Sequence, residues 1–217
     1  SIRILEPEVN SSVVASSGPL VAFSGKSPSG PSVNITSADS DLTLTILLDP
    51  RSSERIEESI KNSGTSLDFD NSTVVELVMD SNWLVATVDV GPFNRTILVD
   101  TLSINQTLIS NPRWDSSSPS IGDGKIAFLQ VTRDSIISST EDSLRNNDVY
   151  VYDMESVETI QYTFDEEVNQ FQPQMLLDRL AWIEVNDEGE KQLLVYSFTD
   201  TIEPRNSLLL QASILAL

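Results

Sequence analysis

Two short apolar runs recur along the chain, each bounded by polar residues and each too short for an ordinary helix. The clearest pair is Lys125-Ile126-Ala127-Phe128-Leu129 and Val149-Tyr150-Val151-Tyr152. The first follows Gly122-Asp123-Gly124, whose glycines are expected to take positive φ at a turn. The second runs from Asn146-Asn147-Asp148 to Asp153. Successive apolar, β-branched and aromatic positions over a strand's length predict strands buried on both faces. Together the runs predict the central pair of one small antiparallel sheet.

The pattern returns. Aligned on its alanine, the first run recurs as Leu20-Val21-Ala22-Phe23, Leu84-Val85-Ala86-Thr87 and Leu180-Ala181-Trp182. The second recurs as Thr45-Ile46-Leu47-Leu48-Asp49, Thr96-Ile97-Leu98-Val99-Asp100 and Leu193-Leu194-Val195-Tyr196-Ser197. Four copies of a two-part signal predict four repeats of one supersecondary unit. Residues 24–41 and 132–148 read as long polar hairpin loops between equivalent strands, emerging on a common face. Between copies there is room for two more strands, such as residues 158–162 and 173–176. Pro119 and Pro173 are expected at first strand positions, where proline is tolerated. The predicted units are four-stranded meanders at approximately 13–60, 75–110, 119–165 and 173–205 within a single domain 1–217, with 1–5 and 208–217 as closing or donated strands.

Pro119, Ile121 and Asp123-Gly124-Lys125-Ile126-Ala127-Phe128, followed by Asp148-Val149-Tyr150-Val151-Tyr152-Asp153, resemble the blade motif of TolB-like (WD40-like) β-propellers. The likeness is strongest over 119–153 and extends to 173–196, where Leu176-Leu177-Asp178-Arg179 departs from the Asp-Gly-Lys turn. The Gly-His and Trp-Asp signatures of WD40 repeats proper are absent. The resemblance implies an all-β propeller of four-stranded antiparallel blades, about four in this chain. It implies no ligand. The alternative architecture is an antiparallel β-sandwich whose strands resemble one another.

Composition narrows the chemistry. With 33 acidic and 13 basic residues the net charge is -20, which repels nucleic acid and anionic membranes. The chain has no cysteine and no histidine, which removes disulfides, the common zinc sites and histidine-dependent nucleophile systems. Neither cofactor nor metal is expected, and catalysis would rest on carboxylates. The dense acidic segments Asp165-Glu166-Glu167, Asp187-Glu188-Gly189-Glu190 and Asp39-Ser40-Asp41 are the places to seek them. A glycoside hydrolase needs two carboxylates facing each other across a cleft; solvated turns are the simpler account. Asn186 to Glu190 reads as a hairpin turn with Gly189 at its tip.

Five Asn-x-Ser/Thr sequons, at Asn10, Asn34, Asn71, Asn94 and Asn105, are candidates for N-linked glycans on an exported chain. Trp114, in the polar connection 111–116, is a candidate partner anchor or a residue packed over a sheet edge. The apolar stretch 207–217 is too short to span a bilayer. These features predict a non-enzymatic extracellular or cell-surface scaffold that binds a protein partner or itself. The alternatives are a glycosylated subunit of a surface layer or filament joined by strand exchange, and a carboxylate-based glycoside hydrolase.

Overall fold

The computed structural model describes residues 13–27, 29–37, 39, 43–52, 54–62, 67–131, 147–165 and 168–198. The chain divides into two compact units, Ser1–Pro119 and Ser120–Leu217.

The first unit opens with the meander β1 (Val14–Ser17), β2 (Leu20–Ser27), β3 (Gly30–Ser37) and β4 (Thr43–Leu47). Helix α1 (Glu54–Asn62) follows. A second meander comprises β5 (Thr73–Asp80), β6 (Trp83–Asp89), β7 (Asn94–Asp100) and β8 (Gln106–Leu108). Strand periodicity sends alternate side chains to opposite faces. One face of the first sheet, with Ala22, Val33, Ile35 and Ile46, packs against Val74, Leu77, Met79 and Leu84 of the second.

Gln106 fastens the two outer strands. Its Nε2 donates to the Leu47 carbonyl (2.7 Å) and its Oε1 accepts from the Asp49 amide (3.0 Å), so one side-chain amide serves the edge of β4 as a neighbouring strand would. Gln106→Ala is expected to lower stability by about 1 kcal/mol, because both bonds are solvent-exposed. Chemical denaturation checks this, and no change would show that water replaces the amide fully.

A third sheet, in meander order, contains β9 (Ser116–Gly122), β10 (Lys125–Val131), β11 (Asn147–Asp153) and β12 (Glu158–Gln161); the division between units falls within β9. The fourth sheet has three strands among the described residues: β13 (Val168–Leu176), β14 (Arg179–Asn186) and β15 (Lys191–Ser197). In the second unit Ala127, Leu129, Val149 and Val151 pack against Met175, Leu180 and Trp182.

The predicted central pairs are real strands in three repeats. Leu98 lies opposite Val85, Val151 opposite Ala127, and Val195 opposite Ala181. The first repeat differs. Residues 24–41 are not a long loop: they hold the end of β2 and all of β3, and Thr45-Ile46-Leu47 belongs to β4, the fourth strand. Polar β3 passes for a loop because Pro31, Ser32, Asn34, Thr36 and Ser37 obscure its apolar pair, Val33 and Ile35. Of the other long loop, 132–148, Asn147 and Asp148 open β11 instead, and 132–146 lie outside the described residues, as do 1–12 and 199–217.

Register also shifts the second repeat by one residue. Trp83, Leu20, Lys125 and Arg179 each open the strand after a two-residue hairpin, so Val85 rather than Ala86 is the counterpart of Ala22, Ala127 and Ala181. A slip of one residue exchanges the two faces. The turns share a left-handed first residue: Gly18, Ser81, Asp123 and Leu177 have φ of 55, 54, 47 and 54°. Gly122 is not a turn residue. It ends β9, and a Cβ there would stand 3.3 Å from Met175.

Both prolines sit inside strands, Pro119 at the fourth position of β9 and Pro173 at the sixth of β13. Each follows a residue with positive φ, Ser118 (54°) and Gln172 (49°), and the β13 ladder shifts register between Phe171 and Gln174. At such an irregularity a missing N–H breaks no ladder bond.

Candidate functional site at the polar end of the fourth sheet

The face of the fourth sheet that carries Leu180 and Trp182 into the core becomes polar toward one end. Gln170, Glu184 and Gln192 are directly opposite one another on β13, β14 and β15, and the next row pairs Val168 with Asn186. The connection 187–190 turns at Gly189 (φ 79°), as its sequence predicts. Asn186 shapes that turn: its Oδ1 accepts from the amides of Glu188 (3.1 Å) and Glu190 (2.9 Å), and its Nδ2 donates to Glu190 Oε2 (3.0 Å).

These elements enclose a depression of about 550 Å³ lined by Val168, Glu184, Asn186, Glu190, Lys191 and Gln192. Trp182 Nε1 donates to Glu184 Oε1 (3.1 Å), linking the depression to the core below. Beside Glu184, Gln170 is fully buried and neither of its amide atoms has a hydrogen-bond partner among the described residues. The lining offers amide donors and acceptors, two carboxylates and one ammonium, which suits a polar ligand bound by hydrogen bonds. Among the described residues no group of three or more acidic side chains is placed to hold a metal ion.

Away from the depression, several titratable groups of the second unit serve the architecture. Tyr150 and Tyr162 are each pushed up to about 12, chiefly by burial; the neighbouring Asp148 charge adds to the effect on Tyr150, and Tyr196 and Asp153 add to that on Tyr162. Tyr162, Tyr196 and Phe198 meet edge to face, with centroids 5.1–5.8 Å apart. The Lys125 ammonium, paired with Asp153, holds that carboxyl below its ordinary value.

The sequence-predicted sites are dispersed. Asn71 and Asn105 stand exposed, Asn71 with its Nδ2 donating to the Asp68 carboxylate (2.9 Å). Asn34 lies half-buried on β3 and accepts from Thr45 Oγ1 (2.6 Å). Asn94 opens β7, half-buried, and its sequon continues into Arg95 and Thr96, both fully buried. Asn10 lies outside the described residues. Trp114 is half-buried in the turn before β9, its amide donating to the Asn111 carbonyl (3.1 Å). Asp187 and Glu188 are exposed at the hairpin tip and Asp165 is exposed after β12, whereas Glu166, Glu167 and Asp41 lie outside the described residues. Glu184, Gln170 and Gln192 carry no motif; only strand register brings them into one row.

No protein-family model matches the chain, and no curated protein matches it in sequence. Solved structures do. The chain is similar to tricorn protease (TM-score 0.61, 15% identity) over 83% of its own length and 16% of that chain. A puromycin-hydrolysing peptidase of Mycobacterium tuberculosis aligns with TM-score 0.54 and 12% identity, over 94% of this chain and 29% of that one. TolB from Acinetobacter baumannii aligns with TM-score 0.50 and 9% identity, over 88% and 41%. The fold is a β-propeller. Each meander is therefore a blade, and the chain spans less than half the length of each of these three proteins. Such low identities show shared architecture alone.

Proposed function

We propose that the chain is a non-enzymatic, TolB-like propeller module of an exported protein, which binds a protein partner through the polar end of its fourth blade. The observation that carries this reading is how the carboxylates are used. Glu184 accepts from the Trp182 indole and Glu190 from the Asn186 amide, so both hold local structure at the depression. A binding surface is served by such fixed groups, whereas a glycosidase requires two carboxylates that face each other across a cleft. The net charge of -20 favours a partner surface that is basic and disfavours nucleic acid. The exposed sequons at Asn71 and Asn105 have room for glycans on an extracellular or cell-surface protein.

The purified protein is expected to leave chromogenic glycosides and peptide substrates intact. Hydrolysis above buffer that Glu184→Gln or Glu190→Gln abolishes would overturn the reading in favour of a hydrolase. A second reading, a subunit of a surface layer or filament, draws support from β15, which pairs only with β14 among the described residues. An exposed edge invites strand addition. Sedimentation separates the two: concentration-dependent multimers favour the layer subunit, and a monomer at all concentrations removes it.

A further inference from the structure

The hairpin registers make the blades comparable position by position. Ala22–Ile35, Val85–Leu98, Ala127–Val151 and Ala181–Val195 are equivalent cross-strand pairs. Two residues farther from the hairpin come Ser24–Val33, Thr87–Thr96, Leu129–Val149 and Ile183–Leu193. In the first three blades all of these residues are at most 6% exposed. In the fourth, Leu193 is 62% and Val195 49% exposed, and Ala181 and Ile183 are only half-buried. Phe171, opposite Ile183 on β13, extends the same apolar face. This face is distinct from the polar depression, which lies on the sheet's other side.

The chain itself shows what covers such a face. In the first blade the cover includes β5, and in the third it includes β13, each the opening strand of the sheet that follows. The interval to that strand is regular where no helix intervenes: Ser116 comes 16 residues after Asp100, and Val168 comes 15 residues after Asp153. Counted from Ser197, the same intervals lead to Ser213 and Ala212. The residues from there are Ala212-Ser213-Ile214-Leu215-Ala216-Leu217, apolar at every position but one. We propose that residues 212–217 pack over the Ala181, Ile183, Leu193 and Val195 face of the fourth blade, in the place β13 takes on the third.

The chain's lack of cysteine makes the test clean. In a Leu193→Cys, Leu215→Cys variant, a short bismaleimide is expected to join the two thiols within one chain. The monomer-mass product should exceed by several-fold that of a control pairing Leu215→Cys with Val157→Cys, whose Val157 is exposed elsewhere in the same unit. Equal yields for the two pairs would overturn the proposal. So would products joined only between chains, which would give the face to a second copy. Because cysteine variants can perturb folding, a second measurement uses Ile214→Asp with Leu215→Asp in an otherwise unaltered chain. Hydrophobic-dye binding should rise and amide protection in β15 should fall; no change in either would also overturn the assignment.

Discussion

Arg95→Met is expected to cost the first unit about 3–5 kcal/mol, the range for removing one partner of a buried, hydrogen-bonded ion pair. Arg95 is fully buried on β7, and its guanidinium donates to the Pro50 carbonyl (2.7 Å), Glu57 Oε1 (2.7 Å) and the Pro112 carbonyl (2.9 Å). It also lies 5.6 Å from the centroid of the Phe69 ring. One cation therefore collects the chain after β4, helix α1 and the connection that precedes β9. Methionine keeps much of the side-chain volume but supplies no donor, which leaves two carbonyls and a carboxylate without their partner. Urea denaturation measures the loss, and amide exchange in Glu54–Asn62 should rise more than exchange in β6. Stability within 1 kcal/mol of the parent, or unchanged helix exchange, would show that the guanidinium is not what holds α1.

The same pair sets an acid limit. Burial alone would raise the Glu57 carboxyl, but hydrogen bonds from Arg95 and Ser52 outweigh it and hold the group below its ordinary value. A depressed carboxyl stabilises the fold above its unfolded pKa, and that contribution is lost as pH falls through the folded value. The stability gap between parent and Arg95→Met should therefore be full at neutral pH and narrow on acidification. A gap that is constant with pH would assign the cost to packing alone.

Trp182→Ala is expected to cost the second unit about 3–5 kcal/mol, as large-to-small replacement of a buried aromatic commonly does. Trp182 is buried against Ala127, Leu129 and Val151, and its indole N–H is the donor to Glu184. Trp182→Phe separates the two contributions, because it retains most of the apolar contact and removes only the donor. Its cost should be about 1–2 kcal/mol, the range for leaving a partly exposed acceptor unpaired. Thermal unfolding of both variants decides. Equal losses would show that the bond to Glu184, and not the packing, dominates this position.

The strand pattern was legible where apolar residues are continuous. Ile126 to Leu129 and Val149 to Tyr152 announce central strands because both faces are covered. β3 was not legible, because the positions that alternate with Val33 and Ile35 are polar although Ser32 and Thr36 are buried, so composition gives no sign that both faces are covered. The helix was missed for a related reason. Residues 54–62 carry no strand pattern and fall at the end of the first predicted unit, although Ser52-Ser53-Glu54 with Ile56 and Ile60 four apart is a usable helix signal. Alignment on alanine failed in the second repeat because Val85 fills the small-residue position and Ala86 lies beside it. The candidate site was partly legible. The Gly189 turn follows from local chemistry, whereas the row Gln170–Glu184–Gln192 depends on pairing between strands that no local pattern encodes.

The two ends of each blade therefore differ in how much change they admit. At one end every first-to-second strand turn has two residues and the same left-handed start. An insertion there would rotate a whole strand face out of the core. At the other end the second-to-third strand connection has two residues in the first blade, four in the second and fourth, and fifteen in the third. Lineages descending from such a chain can lengthen, shorten or exchange segments at that end while the opposite end keeps count. Heritable novelty is thereby channelled to that end of each blade, and an engineer grafting a new recognition loop should choose it.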